Sequence, residues 1–204
     1  MLIIWRVSGY KFDVFISYCR HGSVRKWLEN HFYQKFRECL ADQIAPAPRV
    51  YVDWTMPRGV HWPSELRNAL LHSKIMVPVF APQYFESKWC MAEWNSMRER
   101  ERLLGLASSD RPQGLVYPIL YADSDNFPDE AKEISRWDFK KLAIPDPVFQ
   151  GSQDFVLFHR RVIELAEDLV QLLAQVPDWQ PDWPVVEPPD PPLMPPPTIP
   201  RFGP

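Results

Sequence analysis

The chain has 204 residues, a formal net charge of −3, and 46% hydrophobic and 24% charged residues, the proportions of one soluble globular domain with an ordinary core and a tail. The mildly acidic balance argues against direct nucleic-acid binding, because phosphate neutralisation needs a clustered basic surface; the densest charge run, Arg98-Glu99-Arg100-Glu101-Arg102, interleaves the two signs and reads as a solvated helix face. Cys19, Cys39 and Cys90 are odd in number, far apart in sequence and without a CxxC spacing, which argues against a disulfide framework or zinc site and suits a reducing compartment.

In chain order, the lead-in over residues 1–9 opens with a short apolar run that lacks a basic n-region and a small-residue cleavage site. It is too short to span a bilayer, so no membrane association and a cytoplasmic location are expected. Phe12-Asp13-Val14-Phe15-Ile16-Ser17 suits a buried parallel strand. Val24, Trp27, Leu28, His31, Phe32, Phe36, Cys39 and Leu40 recur at three- and four-residue spacing, which predicts a helix with one buried stripe, stopped by the Pro46/Pro48 region. Val50-Tyr51-Val52-Asp53 reads as a second strand and residues 54–62 as a loop, with Pro63 in the first turn of a short helix ending near His72. A third strand over residues 75–80 contains Pro78, which removes a ladder hydrogen bond unless a bulge or an unpaired stretch faces it. Residues 82–104 read as helical, irregular at first, with Ser87 capping the main part. A fourth strand over 115–120 carries Pro118 with the same difficulty; a short helix near 129–134, a brief strand near 137–139 and an amphipathic helix over 153–174 follow.

Strands alternating with helices at this spacing predict an open parallel sheet of about five strands with helices on both faces, spanning residues 10–176. Beyond it, residues 177–204 are nearly half proline, which predicts an extended, polyproline-like tail. Such segments dock on aromatic-lined grooves at low entropic cost. Trp179, Trp183, Leu193, Met194, Ile199 and Phe202 would anchor this one on a sensor, a partner protein or a neighbouring copy, the alternative being a disordered extension.

Ligands of open parallel sheets collect beyond the carboxyl ends of the strands. Three stretches fall there: Ser17-Tyr18-Cys19-Arg20, then Asp53 and Trp54 with the loop to Trp62, then Ser87-Lys88-Trp89-Cys90-Met91-Ala92-Glu93. On a helix Trp89 and Glu93 share a face, which sets an aromatic plane beside a carboxylate. No GxxxxGK or GxGxxG is present, and the strand end Ser17-Tyr18 lacks the acidic cluster of a phosphoacceptor domain. The five histidines have no HExxH spacing, so no metal is expected.

The combination FDVFISYCR, VYVDW…PRG…W and SKWCMAEW resembles the TIR (Toll/interleukin receptor-like) family, particularly its bacterial and plant-like members, over roughly residues 10–175. The resemblance implies a flavodoxin-like TIR fold and an NAD+-cleaving activity with Glu93 as the catalytic carboxylate. It further implies that Trp89 shapes the pocket, that Arg20 lies near the dinucleotide, and that Asp53 with the loop containing Gly59 and Trp62 borders the site and mediates self-association. Many relatives show a Phe-Trp pair near the last helix, where this chain has Phe155-Val156-Leu157-Phe158.

The chemistry is self-consistent. Nicotinamide in NAD+ is already a cationic leaving group, so cleaving its glycosidic bond needs no cofactor beyond the substrate. One carboxylate can bind ribose hydroxyls, stabilise an oxocarbenium-like transition state and deprotonate the nucleophile. The function that the resemblance implies is an NAD+ glycohydrolase giving a linear or cyclic ADP-ribose product, which in the manner of the bacterial relatives would be an antiphage effector switched on by oligomerisation. A non-catalytic TIR adaptor acting through TIR–TIR contacts is the alternative. Each site residue also has an ordinary reading, with Glu93 a helix acid, Arg20 a surface cation, Asp53 a strand-end cap, Gly59 a turn residue, and Trp62 and Trp89 packing aromatics.

Overall fold

A strand that sits in the middle of a parallel sheet needs apolar side chains on both faces, and β1 (Phe12–Tyr18) has them. Val14, Ile16 and Tyr18 enter one core and Phe15 the other. The same division holds for β3 (Ser73–Phe80), where Ile75, Val77 and Val79 join the first core and Met76 and Phe80 the second. The computed structural model describes residues 9–54 and 62–187, apart from the side chains of residues 62–64. With β2 (Val50–Val52), β4 (Ile119–Leu120) and β5 (Trp137–Asp138), the strands form one all-parallel sheet in the order β2-β1-β3-β4-β5. That order is flavodoxin-like, and its topological switch point lies between β1 and β3.

Helices cover both faces. On one, α1 (Val24–Trp27), a π-helical turn (Leu28–Phe32) and α2 (Tyr33–Gln43) follow without a break and pack with α7 (Gln153–Leu173). The predicted stripe is the buried one, from Val24 and Trp27 through Phe36 and Leu40. On the other face lie α3 (Trp62–Leu71), α4 (Pro82–Glu86), α5 (Lys88–Leu104) and α6 (Asp129–Glu133), which contribute Leu66, Tyr84, Trp94, Met97 and Ala131 to the second core. Ser87 caps α5 as expected, its hydroxyl accepting from the Cys90 amide, and Gly105 closes the helix in the left-handed conformation at φ 63° that glycine tolerates best. No described helix is long and apolar enough to cross a membrane.

The two strand prolines are accommodated together. The Met76 amide donates to Leu115 O, the Tyr117 amide donates to Met76 O and the Tyr121 amide to Phe80 O, so even-numbered residues of β3 present their backbone groups toward β4. Pro78 therefore lacks its donor on that side, where the ladder is interrupted at Tyr117 and Pro118 between an isolated Met76–Val116 bridge and the Val79–Ile119 pair. This shortens the expected fourth strand from residues 115–120 to Ile119–Leu120.

Two readings of the sequence are corrected. The charge run on α5 is not a solvated face: Arg100 is 0% and Glu101 2% exposed, while Glu99 and Arg102 do pair at the surface. Helical periodicity turns the adjacent Arg100 and Glu101 inward here because α5 is covered by the sheet and also by the start of the tail. Trp183 is 6% exposed and stacks on the Arg100 guanidinium, Trp179 Nε1 donates to Leu71 O while its ring stacks on His72, and the Val186 amide donates to Ser96 Oγ. Two of the anchors expected to hold a partner thus pack on the chain's own α3 and α5. Leu193, Met194, Ile199 and Phe202 lie outside the described residues.

Candidate functional site

At the carboxyl end of β1 the chain leaves the sheet through Ser17 to Arg20, and α5 starts beside it with Trp89, Cys90 and Glu93 on its first turns. Between them is a cavity of about 190 Å³ lined by Ser17, Cys19, Arg20, Asp53, Trp89 and Glu93 among others. It opens at the switch point where doubly wound sheets bind ligands.

Glu93 is half-buried, with its carboxylate on the cavity wall. Ser17 Oγ donates to Glu93 Oε2 at 2.5 Å and lies 2.8 Å from the Tyr84 hydroxyl. Serine has one proton to give, so with Glu93 ionised the Tyr84 hydroxyl donates to Ser17 and the three groups form a relay ending on the carboxylate. Burial holds Tyr84 well above its ordinary pKa, which keeps it a donor. Burial also raises Glu93, to about 7, against the opposing Ser17 hydrogen bond; Asp53 raises it further and Arg20 lowers it. A carboxyl group poised there can take or release a proton near neutrality.

Arg20 pairs with Asp53 rather than with Glu93. That ion pair bridges the ends of β1 and β2 at the rim of the cavity, and the Tyr18 hydroxyl adds a bond to Asp53 O at 2.9 Å. Trp89 lines the wall one helical turn before Glu93. Trp54 does not line it: its ring packs on Tyr18 and Tyr33, 5.9 and 5.2 Å between centroids. Gly59 lies outside the described residues, and Trp62 is placed only as the first residue of α3.

Four features of the site escaped the sequence reading. Tyr84 belongs to the relay, and its signal was a buried phenol that needs a hydrogen-bond partner. Leu66 brings α3 to the cavity and His21 extends the rim. Cys19 and Cys90, 71 positions apart, both line the wall, and no local spacing reveals that. Among the described residues no group of three or more His, Cys, Asp or Glu could hold a metal ion.

Larger depressions exist elsewhere. One of about 780 Å³ runs past Glu101, Tyr117 and Trp137, and another of about 680 Å³ lies between Lys140, Leu157 and Arg160. Neither contains a buried carboxyl without a cation. Glu101 is held by Arg98 at 2.5 Å and by the amides of Leu115 and Val116 at 2.5 and 3.0 Å.

A family described as "TIR domain" matches residues 14–143. No curated protein matches. Among solved structures, the TIR domain of the Toll-related receptor TRR-2 from Hydra magnipapillata is similar at 19% identity and TM-score 0.43, over 73% of this chain and 98% of that one. The TIR domains of the activated Roq1 resistosome, which directly recognises the pathogen effector XopQ, are similar at 20% identity and TM-score 0.39, over 80% of this chain and 96% of theirs.

Proposed function

The chain belongs to the TIR domain family, matched over more than half its length, and from that premise we propose that it is an NAD+ glycohydrolase with Glu93 as its catalytic carboxylate. The observation that carries the reading is a carboxyl group on the wall of a switch-point cavity whose hydrogen-bond partner among the described residues is a hydroxyl, with no bonded cation to neutralise it. A carboxylate so held on the cavity wall is poised to accept ribose hydroxyl bonds and to answer positive charge developing at the anomeric carbon.

The cavity is smaller than the roughly 300–1,000 Å³ that encloses a whole drug-sized ligand. It therefore takes the nicotinamide-ribose end of NAD+, with Trp89 beside the ring, while the remainder lies across the rim formed by Arg20 and Asp53. As the glycosidic bond breaks, the ionised carboxylate stabilises the oxocarbenium-like sugar, then accepts the proton of the attacking water or nucleotide hydroxyl. Ser17 and Tyr84 orient it.

Self-association belongs to the same proposal. Val148, Val156 and Leu157 stand exposed around the start of α7 and offer an apolar surface to a second copy. Assembly would switch the activity on, as suits an antiphage effector held silent until triggered. The test is product analysis after incubating wild type and Glu93→Ala with NAD+, free and under conditions that force association. Release of nicotinamide by wild type and its loss in a folded Glu93→Ala support the reading. Intact NAD+ in every arm defeats it and leaves a docking module.

A further inference from the structure

We propose that residues 177–187 are an autoinhibitory strap that ties α3 to α5 and holds the Glu93 cavity narrow until it is released. Past the end of α7, Val176 packs against both cores and the Tyr10 hydroxyl, just ahead of β1, donates to Pro177 O at 3.0 Å. The chain thus crosses the amino edge of the sheet, from the α7 face to the face that carries α3 and α5. There it runs back toward the cavity. Trp179 Nε1 donates to Leu71 O at 3.1 Å at the carboxyl end of α3, Trp183 stacks on Arg100, and the Val186 amide donates to Ser96 Oγ at 2.8 Å, one turn closer to Glu93.

The end of the strap holds both helices at once. Glu187 pairs with Arg67 of α3 at 3.2 Å, while its neighbour Val186 is bonded to Ser96 of α5. Leu66, beside Arg67, and Glu93, one turn before Ser96, both line the cavity. Two adjacent strap residues therefore fix the spacing between the α3 and α5 sides of the site. The cavity held in this way is about 190 Å³, below the roughly 300–1,000 Å³ that encloses a drug-sized ligand.

The strap is also seated on a buried charge. Arg100 is 0% exposed; its guanidinium donates to Ser73 O at 2.9 Å and Leu70 O at 3.3 Å, while its Nε has no hydrogen-bond partner among the described residues and no carboxylate there pairs with it. Trp183 covers this cation with its ring centroid 5.1 Å from the guanidinium carbon. A buried cation without a counter-ion is unfavourable, and the cation–π contact offsets only part of that. Release of the strap returns Arg100 to water, and the Arg67–Glu187 pair, with side chains 56% and 73% exposed, does little to oppose it. The closed form is thus easily displaced. The inhibition rests on the NAD+ reading above, whereas the clamp does not.

The test compares full-length wild type with Trp183→Ala and with Glu187→Arg, which sets like charges together at the surface and leaves the core intact. Amide hydrogen exchange reads the clamp: Trp183→Ala should exchange faster over residues 177–187 and α3 with β1 unchanged, and Glu187→Arg should do the same to a smaller degree. Cleavage of NAD+ reads the inhibition. With the released form about 10% populated in wild type, Trp183→Ala should raise kcat/KM about tenfold, the gain appearing in KM because apparent affinity scales with the competent fraction. In Arg67→Cys combined with Glu187→Cys, a short bis-maleimide ties the strap to α3, the native cysteines being buried. The tethered protein should cleave no faster than wild type, and the untethered one should match Glu187→Arg. Unchanged α3 exchange in the variants overturns the clamp. A freed strap with unchanged or slower cleavage, or a tethered protein as fast as the freed ones, overturns the inhibition. If no arm cleaves NAD+, the enzymatic reading fails and the inhibitory role with it, and the exchange data still decide the clamp.

Discussion

Helix α5 carries a half-buried carboxylate, Glu93, and a buried one, Glu101, about two turns apart, and they are provided for differently. Glu101 accepts from Arg98 and from the Leu115 and Val116 amides, so its buried charge is answered on every side. Among the described residues Glu93 has one hydroxyl, and beside it a cavity. Burial raises the pKa of both. A perturbed carboxyl is therefore not by itself a sign of function; what separates the two is whether the fold supplies partners or leaves the carboxylate to a ligand.

Glu93→Gln should lower NAD+ cleavage by about 10³-fold, within the range for a lost general base, while circular dichroism stays unchanged. The same proposal makes the wild-type rate rise with pH through about 7 as Glu93 ionises, and a pH–rate profile without that limb would break the contrast. Glu101→Ala should have the complementary effect, a loss of about 3–5 kcal/mol of stability, because it strands Arg98 and two buried amides. Urea denaturation measures it.

Stability against pH sharpens the comparison, because Glu93 binds its proton more tightly folded than unfolded. Its burial therefore costs little at or below its unfolded value of 4.5, and progressively more as pH rises to about 7. Glu93→Gln removes that penalty. The variant should be more stable than wild type by about 2–3 kcal/mol at pH 8, with the gap closing near pH 4.5. An equal gap at both pH values would contradict it. Ser17→Ala removes the bond that lowers Glu93 and should move the acidic limb of the rate profile upward by as much as about one unit, for a hydrogen bond worth about 1 kcal/mol. Arg102→Ala, on the exposed pair with Glu99, should leave the melting temperature unchanged.

The strands, the long helices and the meeting of Ser17, Asp53, Trp89 and Glu93 at one end of the sheet were legible because each rests on local periodicity or on a strand-end position. What escaped depends on distant contacts. Arg100 and Glu101 look like surface charges until Trp183 and the Leu115–Val116 backbone cover them. Tyr84, Cys19 and Cys90 acquire their surroundings only when β1 meets α4 and α5. The tail misled for a related reason, since a proline-rich composition specifies extension but not what Trp179 and Trp183 pack against.

The break in the ladder opposite Pro78 has a consequence for motion. β1 pairs with β3 from Phe12 to Tyr18, whereas β4 and β5 are each held by two-residue ladders. Amide exchange should therefore be fastest among the strands at β4 and β5 and slowest along β1. Breathing at that edge would leave the floor beneath Ser17 undisturbed.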